Sequence, residues 1–226
     1  MKNILYLFTF VITVTAIAQT TSSVDIEKMK MKQALAYGDK TVAVNSMYSI
    51  IALEGPKSVY KDSLAYLYFN ERNYVSCYLV TEDVLKEKPG NAAFLEMSAV
   101  SLESIGALEK ALESYKGLLA TSKNNYHAYK VAGIQLQLDK LEDAYATIKK
   151  AGSLTQRENV KVTFQVNKNY NQNVDLKPSI LYLQGIIELE LKKNKEAKAS
   201  FEQAVALFPD FALAKSKLLT LETEQK

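Results

Sequence analysis

His127 and Cys77 are the residues of this chain whose side chains could act as a base or nucleophile near neutral pH, and each is the only one of its type. A single histidine excludes a metal site built from several imidazoles and leaves at most one imidazole base. Catalysis needs titratable groups that converge. No glycine-rich phosphate loop and no CxxC or HExxH pattern occurs. His127 stands at the start of a helix beside Tyr126 and Tyr129, where a surface or packing role is expected. Cys77 falls where a small buried residue is needed, so a structural thiol is expected. The sequence therefore argues against an enzyme and implies no cofactor and no metal.

The 226 residues are 48% apolar and 23% charged, which suits one sizeable globular domain or two small ones. Lys2, the apolar run 4–16 and the small residues Ala16 and Ala18 form a secretory signal peptide over 1–18, cut before Gln19. A retained anchor is the alternative, but an apolar run over 4–18 is shorter than the roughly 20 residues that span hydrocarbon. No cysteine follows the cut, so a lipid anchor is not available and no stable membrane insertion is expected. Loss of Lys2 takes the net charge from +3 to +2, too little for a nucleic-acid partner. The expected location is periplasmic or secreted. With one cysteine the chain can form no internal disulfide, so packing must supply its stability.

A repeat supplies that packing. In the 34 residues of 178–211, Gly185, Ala197, Phe201, Ala204 and Pro209 take relative positions 8, 20, 24, 27 and 32. Two antiparallel helices approach closely only where contact residues are small, so Gly185 is expected to meet Ala197 and Ala204, with Leu181 and Phe201 beside them. Upstream, 58–91 repeats the frame with Leu64, Ala65, Tyr68, Cys77, Val84 and Pro89. The segment 92–125 does so with Leu95, Ala99, Leu102, Ala111 and Tyr115, and 125–155 with Ala132, Ala144, Ile148 and Ala151. In 25–57 the matches are Leu35, Val44, Tyr48, Ile51 and Pro56, with Lys28 and Lys32 departing, so a frayed or cap-like start is expected. The central small residues Val44, Cys77, Ala111, Ala144 and Ala197 are separated by 33, 34, 33 and 53.

These spacings resemble the tetratricopeptide repeat. The resemblance implies an all-α, right-handed α-solenoid of about five helical hairpins, with a capping helix over 211–224. The long last step locates an insertion at 155–177. There Val160, Val162, Phe164 and Val166 alternate with polar residues, which reads as a strand. Asn-rich 167–173 would be its turn and 174–176 a short return strand. A loose loop, or a hairpin that projects or folds across the groove, are both open. The segments are thus 1–18, 19–154 (four repeats), 155–177 and 178–226.

The resemblance further implies a concave groove lined by the first helix of each pair. Its positions fall on Tyr37; on Asp62, Tyr66, Phe69 and Asn70; on Glu96 and Glu103; on Tyr126, Tyr129 and Gln137; and on Tyr182, Leu189 and Glu190. Such a surface is aromatic and mildly acidic and would suit a protein or peptide segment with apolar and basic side chains. Some of the tyrosines also sit at core positions, so packing is the competing reading. The places where some members capture a partner's C-terminal carboxylate hold Met29, Gln33, Asp62, Tyr66 and Glu96 here, which argues against that mode. The resulting expectation is an exported interaction scaffold. A small-ligand or glycan-binding module of the bacterial envelope is the alternative, and a self-associating homo-oligomer the third reading.

Overall fold

The computed structural model describes residues 22–224. The signal-peptide reading of 1–18 lies outside them. Among the described residues, eleven helices and one two-stranded sheet make an all-α fold of helical hairpins with a β-hairpin insertion. They fall into two compact units, one up to Tyr60 and one from Lys61.

The first unit pairs α1 (Ser23–Ala36) with α2 (Lys40–Glu54). Ser22 caps α1, its hydroxyl accepting the Asp25 N–H at 3.1 Å, and Asp39 caps α2 by accepting the Val42 N–H at 3.0 Å. Of the frayed or cap-like start expected, α1 is ordered from Ser23 and is not frayed. The buried residues are Ala34, Ala43, Ser46, Met47 and Ile50, whereas Leu35 and Tyr48 are exposed. The central small residue is therefore Ala43, one place before the expected Val44, because only a methyl side chain is fully enclosed there.

The second unit begins within α3 (Tyr60–Asn70) and continues through α4 (Tyr74–Glu87), α5 (Ala92–Ser104), α6 (Leu108–Ser122), α7 (Asn125–Gln137) and α8 (Leu141–Ala151). The strands β1 (Lys161–Asn167) and β2 (Tyr170–Asp175) follow, then α9 (Leu176–Glu190), α10 (Asn194–Leu207) and α11 (Ala212–Glu224). Ala65, Cys77, Ala99, Ala111, Ala132, Ala144, Ala197 and Ala204 are all fully buried, as expected of close-packed helix pairs. Cys77 is the structural thiol expected, its Sγ 3.6 Å from the Ala65 carbonyl, and burial pushes its pKa up.

Every hairpin turns the same way. Gly38, Arg72, Gly106, Asp139 and Lys192 all have positive φ, and each carries the two backbone bonds of a Schellman close. At Lys192, for example, its N–H reaches the Leu189 carbonyl and the Lys193 N–H reaches the Glu188 carbonyl, both at 2.8 Å. Each left-handed residue lies five places before the central small residue of the next helix, so the turn sets the phase of the helix it launches.

The insertion is an ordered antiparallel hairpin, with Val162 opposite Val174 and Phe164 opposite Gln172. Its turn is only Lys168 and Asn169, and the return strand starts at Tyr170 rather than at 174. The asparagines mislead because Asn171 and Asn173 point to solvent while Gln172 and Val174, which alternate with them, are buried. Gln172 uses both ends of its amide at the start of α11, accepting the Ala212 N–H at 3.0 Å and donating to the Asp210 carbonyl. Phe164 sets its ring 5.3 Å from Tyr182 and 5.1 Å from Phe211. The hairpin thus folds onto α9 and α11 and does not project. Ala214 and Leu221 of α11 close the last core.

Candidate partner-binding face

Each first helix carries its side chains at intervals of three and four, so the expected face can be followed along the second unit from α3 to α9. On α3, Asp62 holds Lys88 at 2.5 Å, and Tyr66 leans on Phe94 with ring centroids 5.5 Å apart. Phe69 packs edge-on against Tyr74 at 6.2 Å, while Tyr66 and Asn70 stay exposed.

On α5 and α7 the face is a network of paired charges between rings. Glu103 accepts from Lys130 at 2.6 Å and from the Tyr115 hydroxyl at 3.2 Å. Glu96 accepts from Arg157 at 2.6 Å, and that guanidinium lies 4.7 Å over the Tyr126 ring. Arg157 belongs to the start of the insertion, and its N–H is held by the Asn125 Oδ1 at 2.9 Å. Burial, with the Glu96 charge behind it, pushes the Tyr126 pKa up to about 12. Tyr129 is raised further, again chiefly by burial.

His127 is 4% exposed and serves packing. Its ring stands 5.6 Å from Tyr126 and 6.4 Å from Tyr115. Nδ1 lies 2.6 Å from the Ser122 Oγ, and Nε2 lies 3.8 Å from Glu96 Oε2, a distance for electrostatic attraction rather than a hydrogen bond. Ser122 Oγ also accepts the Asn124 N–H at 3.4 Å, and Asn124 Oδ1 accepts the His127 N–H at 2.9 Å. The alcohol and imidazole thus join the end of α6 to the start of α7, and the imidazole faces the Glu96 carboxylate of α5. Among the described residues there is no cluster of three or more His, Cys, Asp or Glu suited to a metal. None of their helices is long and apolar enough to cross a membrane.

The mildly acidic groove expected from sequence is corrected by this geometry, since Asp62, Glu96 and Glu103 each already hold a cation. The sequence frame missed those partners because Lys88, Lys130 and Arg157 lie off its groove positions. Tyr182 is half-buried between Phe164, Phe201 and Phe211, so the hairpin already occupies its stretch of the face. Leu189 packs into the same cluster, whereas Gln137 and Glu190 are exposed. In the first unit, Tyr37 is 77% exposed.

His127 and Arg157 together hold the Glu96 carboxyl at about 2, against the opposing effect of its burial. A carboxylate with a depressed native pKa gives stability that is complete above its ordinary value of about 4.3 and lost as pH falls towards 2. We expect Glu96→Gln to cost about 1 kcal/mol at neutral pH. Denaturant midpoints of the two proteins should converge between about pH 4.5 and 2. A gap that persists unchanged at pH 2 would show that the ion pair is not its origin.

No protein-family model matches the sequence, and no curated protein matches it. Solved structures do. YrrB, described as a TPR protein with an unusual peptide-binding site, superposes with a TM-score of 0.64 at 10% identity, over 88% of this chain and 92% of its own. MamA from Desulfovibrio magneticus RS-1 gives 0.62 at 14% identity, over 84% and 98%. A thermophilic TPR protein of Thermus thermophilus gives 0.51 at 14%, over 89% and 100%. At such identities the likeness concerns architecture alone, and with the 33- and 34-residue phase of its hairpins it establishes that the chain has the tetratricopeptide-repeat fold.

Proposed function

We propose that this chain is an exported, non-enzymatic scaffold that holds a protein or peptide segment on the first helices of its second unit. The supporting observation is the contrast along that face. Tyr126 and Tyr182 are already engaged by the insertion, while Tyr66 remains 47% exposed against Phe94 with Asn70 one turn on. The open stretch on α3 offers an aromatic platform and an amide, with Asp62 neutralised beside it. It suits an apolar or aromatic side chain flanked by backbone that the Asn70 amide can bond. The fold likeness to YrrB, with its peptide-binding site, agrees with this use. Export rests on the apolar run 4–16 and the small residues before Gln19.

A photo-crosslinking side chain at position 66 should capture a protein partner in the bacterial envelope. The same probe at Leu79, which is 62% exposed on the second helix α4, should capture none. Tyr66→Ala should abolish that recovery while shifting stability by no more than about 0.5 kcal/mol. Equal capture at both positions, or recovery unchanged by Tyr66→Ala, would remove this face from the account. Amino-terminal sequencing of the protein outside the cytoplasm should begin at Gln19.

A further inference from the structure

We propose that a cleft bounded by α8, residue 156, α9 and α10 binds a short- to medium-chain fatty acid anion. None of its lining residues is one of the groove positions above, and Asn125 meets that face only by holding the Arg157 N–H, so the site stands apart from the scaffold reading. The cleft has a volume of about 400 Å³, within the range of sites that enclose small ligands.

Its origin is the break in the repeat. After α8 the chain does not turn directly into a new hairpin. It runs back to the α6–α7 turn, where the Thr155 N–H reaches the Lys123 carbonyl at 3.1 Å and the Asn125 N–H reaches the Thr155 carbonyl at 2.9 Å. Then it makes the β-hairpin, and only afterwards α9. The side of α10 beside α8 is left with Leu207 47% exposed. With Ile148, Ile180 and Leu181, Leu207 supplies an aliphatic wall.

The charged groups at the cleft are of one sign. Lys149 and Lys177 line it, and no carboxylate does. Among the described residues neither lysine has a carboxylate partner, and the Lys149 ammonium lies 5.9 Å from the Tyr145 ring centroid. Asn125 is 2% exposed and also lines the cleft. Its Oδ1 is fixed by the Arg157 N–H, which leaves its amide N–H groups without a protein partner among the described residues. Gln184 offers no competing donor, having committed its amide nitrogen to Glu188 Oε1 at 2.8 Å and Ser200 Oγ at 3.0 Å. Two cations with no carboxylate partner and an amide donor at the cleft suit an anion, and the aliphatic wall suits an alkyl body. None of the lining residues is aromatic, which removes the stacking platform a sugar would use.

The test uses sodium octanoate and the purified protein, followed by calorimetry and by methyl shifts of Ile148 and Ile180. Saturable one-to-one binding with Kd about 1 mM or tighter is expected. Lys149→Glu with Lys177→Glu should weaken it at least tenfold, as should Leu207→Asp, while the arginine pair at 149 and 177 should retain it. These positions are exposed, so circular dichroism should be unchanged in all variants. Equal affinity for 1-octanol, indifference to the glutamate pair, or absence of saturation would overturn the proposal. Preference for acetyl-leucine over octanoate would also overturn it, in favour of a peptide C-terminus. Capture through position 66 depends on none of these outcomes.

Discussion

Phe211→Ala is expected to cost about 3–5 kcal/mol and to release the β-hairpin from the helices in the same step. Phe211 is fully buried although it lies outside any helix or strand. Its ring is 5.1 Å from Phe164 of β1, 5.0 Å from Tyr182 of α9 and 6.2 Å from Phe208 after α10. One side chain therefore joins the insertion, a first helix and the capping helix α11. Truncation leaves a cavity that none of the three can fill without moving. Phe164→Ala removes only the hairpin's share, from a half-buried ring, and should cost roughly half as much. Because hairpin arrays are coupled mainly between neighbours, the loss should spread little beyond α9 to α11 and should broaden the unfolding transition. Hydrogen exchange of amides 161–175 checks this. Hairpin protection that survives Phe211→Ala would mean that Val160, Val162 and Val174 hold the insertion without the aromatic cluster.

What could be read from the residues, and what could not, follows from the range of the forces concerned. Cys77, Ala111, Ala144 and Ala197 mark the helix crossings because a crossing demands a small side chain wherever it occurs, and that demand repeats along the chain. The turns obey an equally regular rule, yet only Gly38 and Gly106 advertise it. Arg72, Asp139 and Lys192 adopt the same left-handed backbone, held there by the bonds of the close rather than by their own preference. The first hairpin is misphased in sequence because valine passes for small until burial shows that Ala43, not Val44, is enclosed. Strand β1 is legible through Val162, Phe164 and Val166. Strand β2 is not, since asparagine at its exposed positions reads as a turn. The candidate face shows the same division. Its residues share a side of the first helices, as helical geometry alone dictates. That Arg157 would cross 61 positions to neutralise Glu96 depends on the path of the insertion, which no periodicity encodes.

Gly185→Ala should destabilise the protein by about 2 kcal/mol, while the same change at Gly133 should stabilise it by about 0.5–1 kcal/mol. Both glycines lie inside first helices, α9 and α7, where alanine is intrinsically the better residue. The difference is what a methyl group would meet. At Gly185 it would stand 2.6 Å from Cε1 and 2.8 Å from Cδ1 and Cζ of Phe201, a ring that is itself fully buried and backed by Tyr182 at 5.7 Å. The sequence frame set Gly185 against Ala197 and Ala204, but the structure sets it against the flat of that ring. The ring cannot retreat without disturbing Tyr182, and through Tyr182 the hairpin's Phe164. At Gly133 the nearest atom is Leu183 Cδ2 at 3.9 Å, an ordinary contact. Equilibrium denaturation of the two variants decides the matter, and Phe201→Leu placed in the Gly185→Ala background should recover part of the loss by vacating the space the methyl needs. If both alanines behaved alike, the close approach of α9 and α10 would owe nothing to the missing side chain. The absent Cβ would then no longer explain why the clearest repeat of the sequence is built around a glycine.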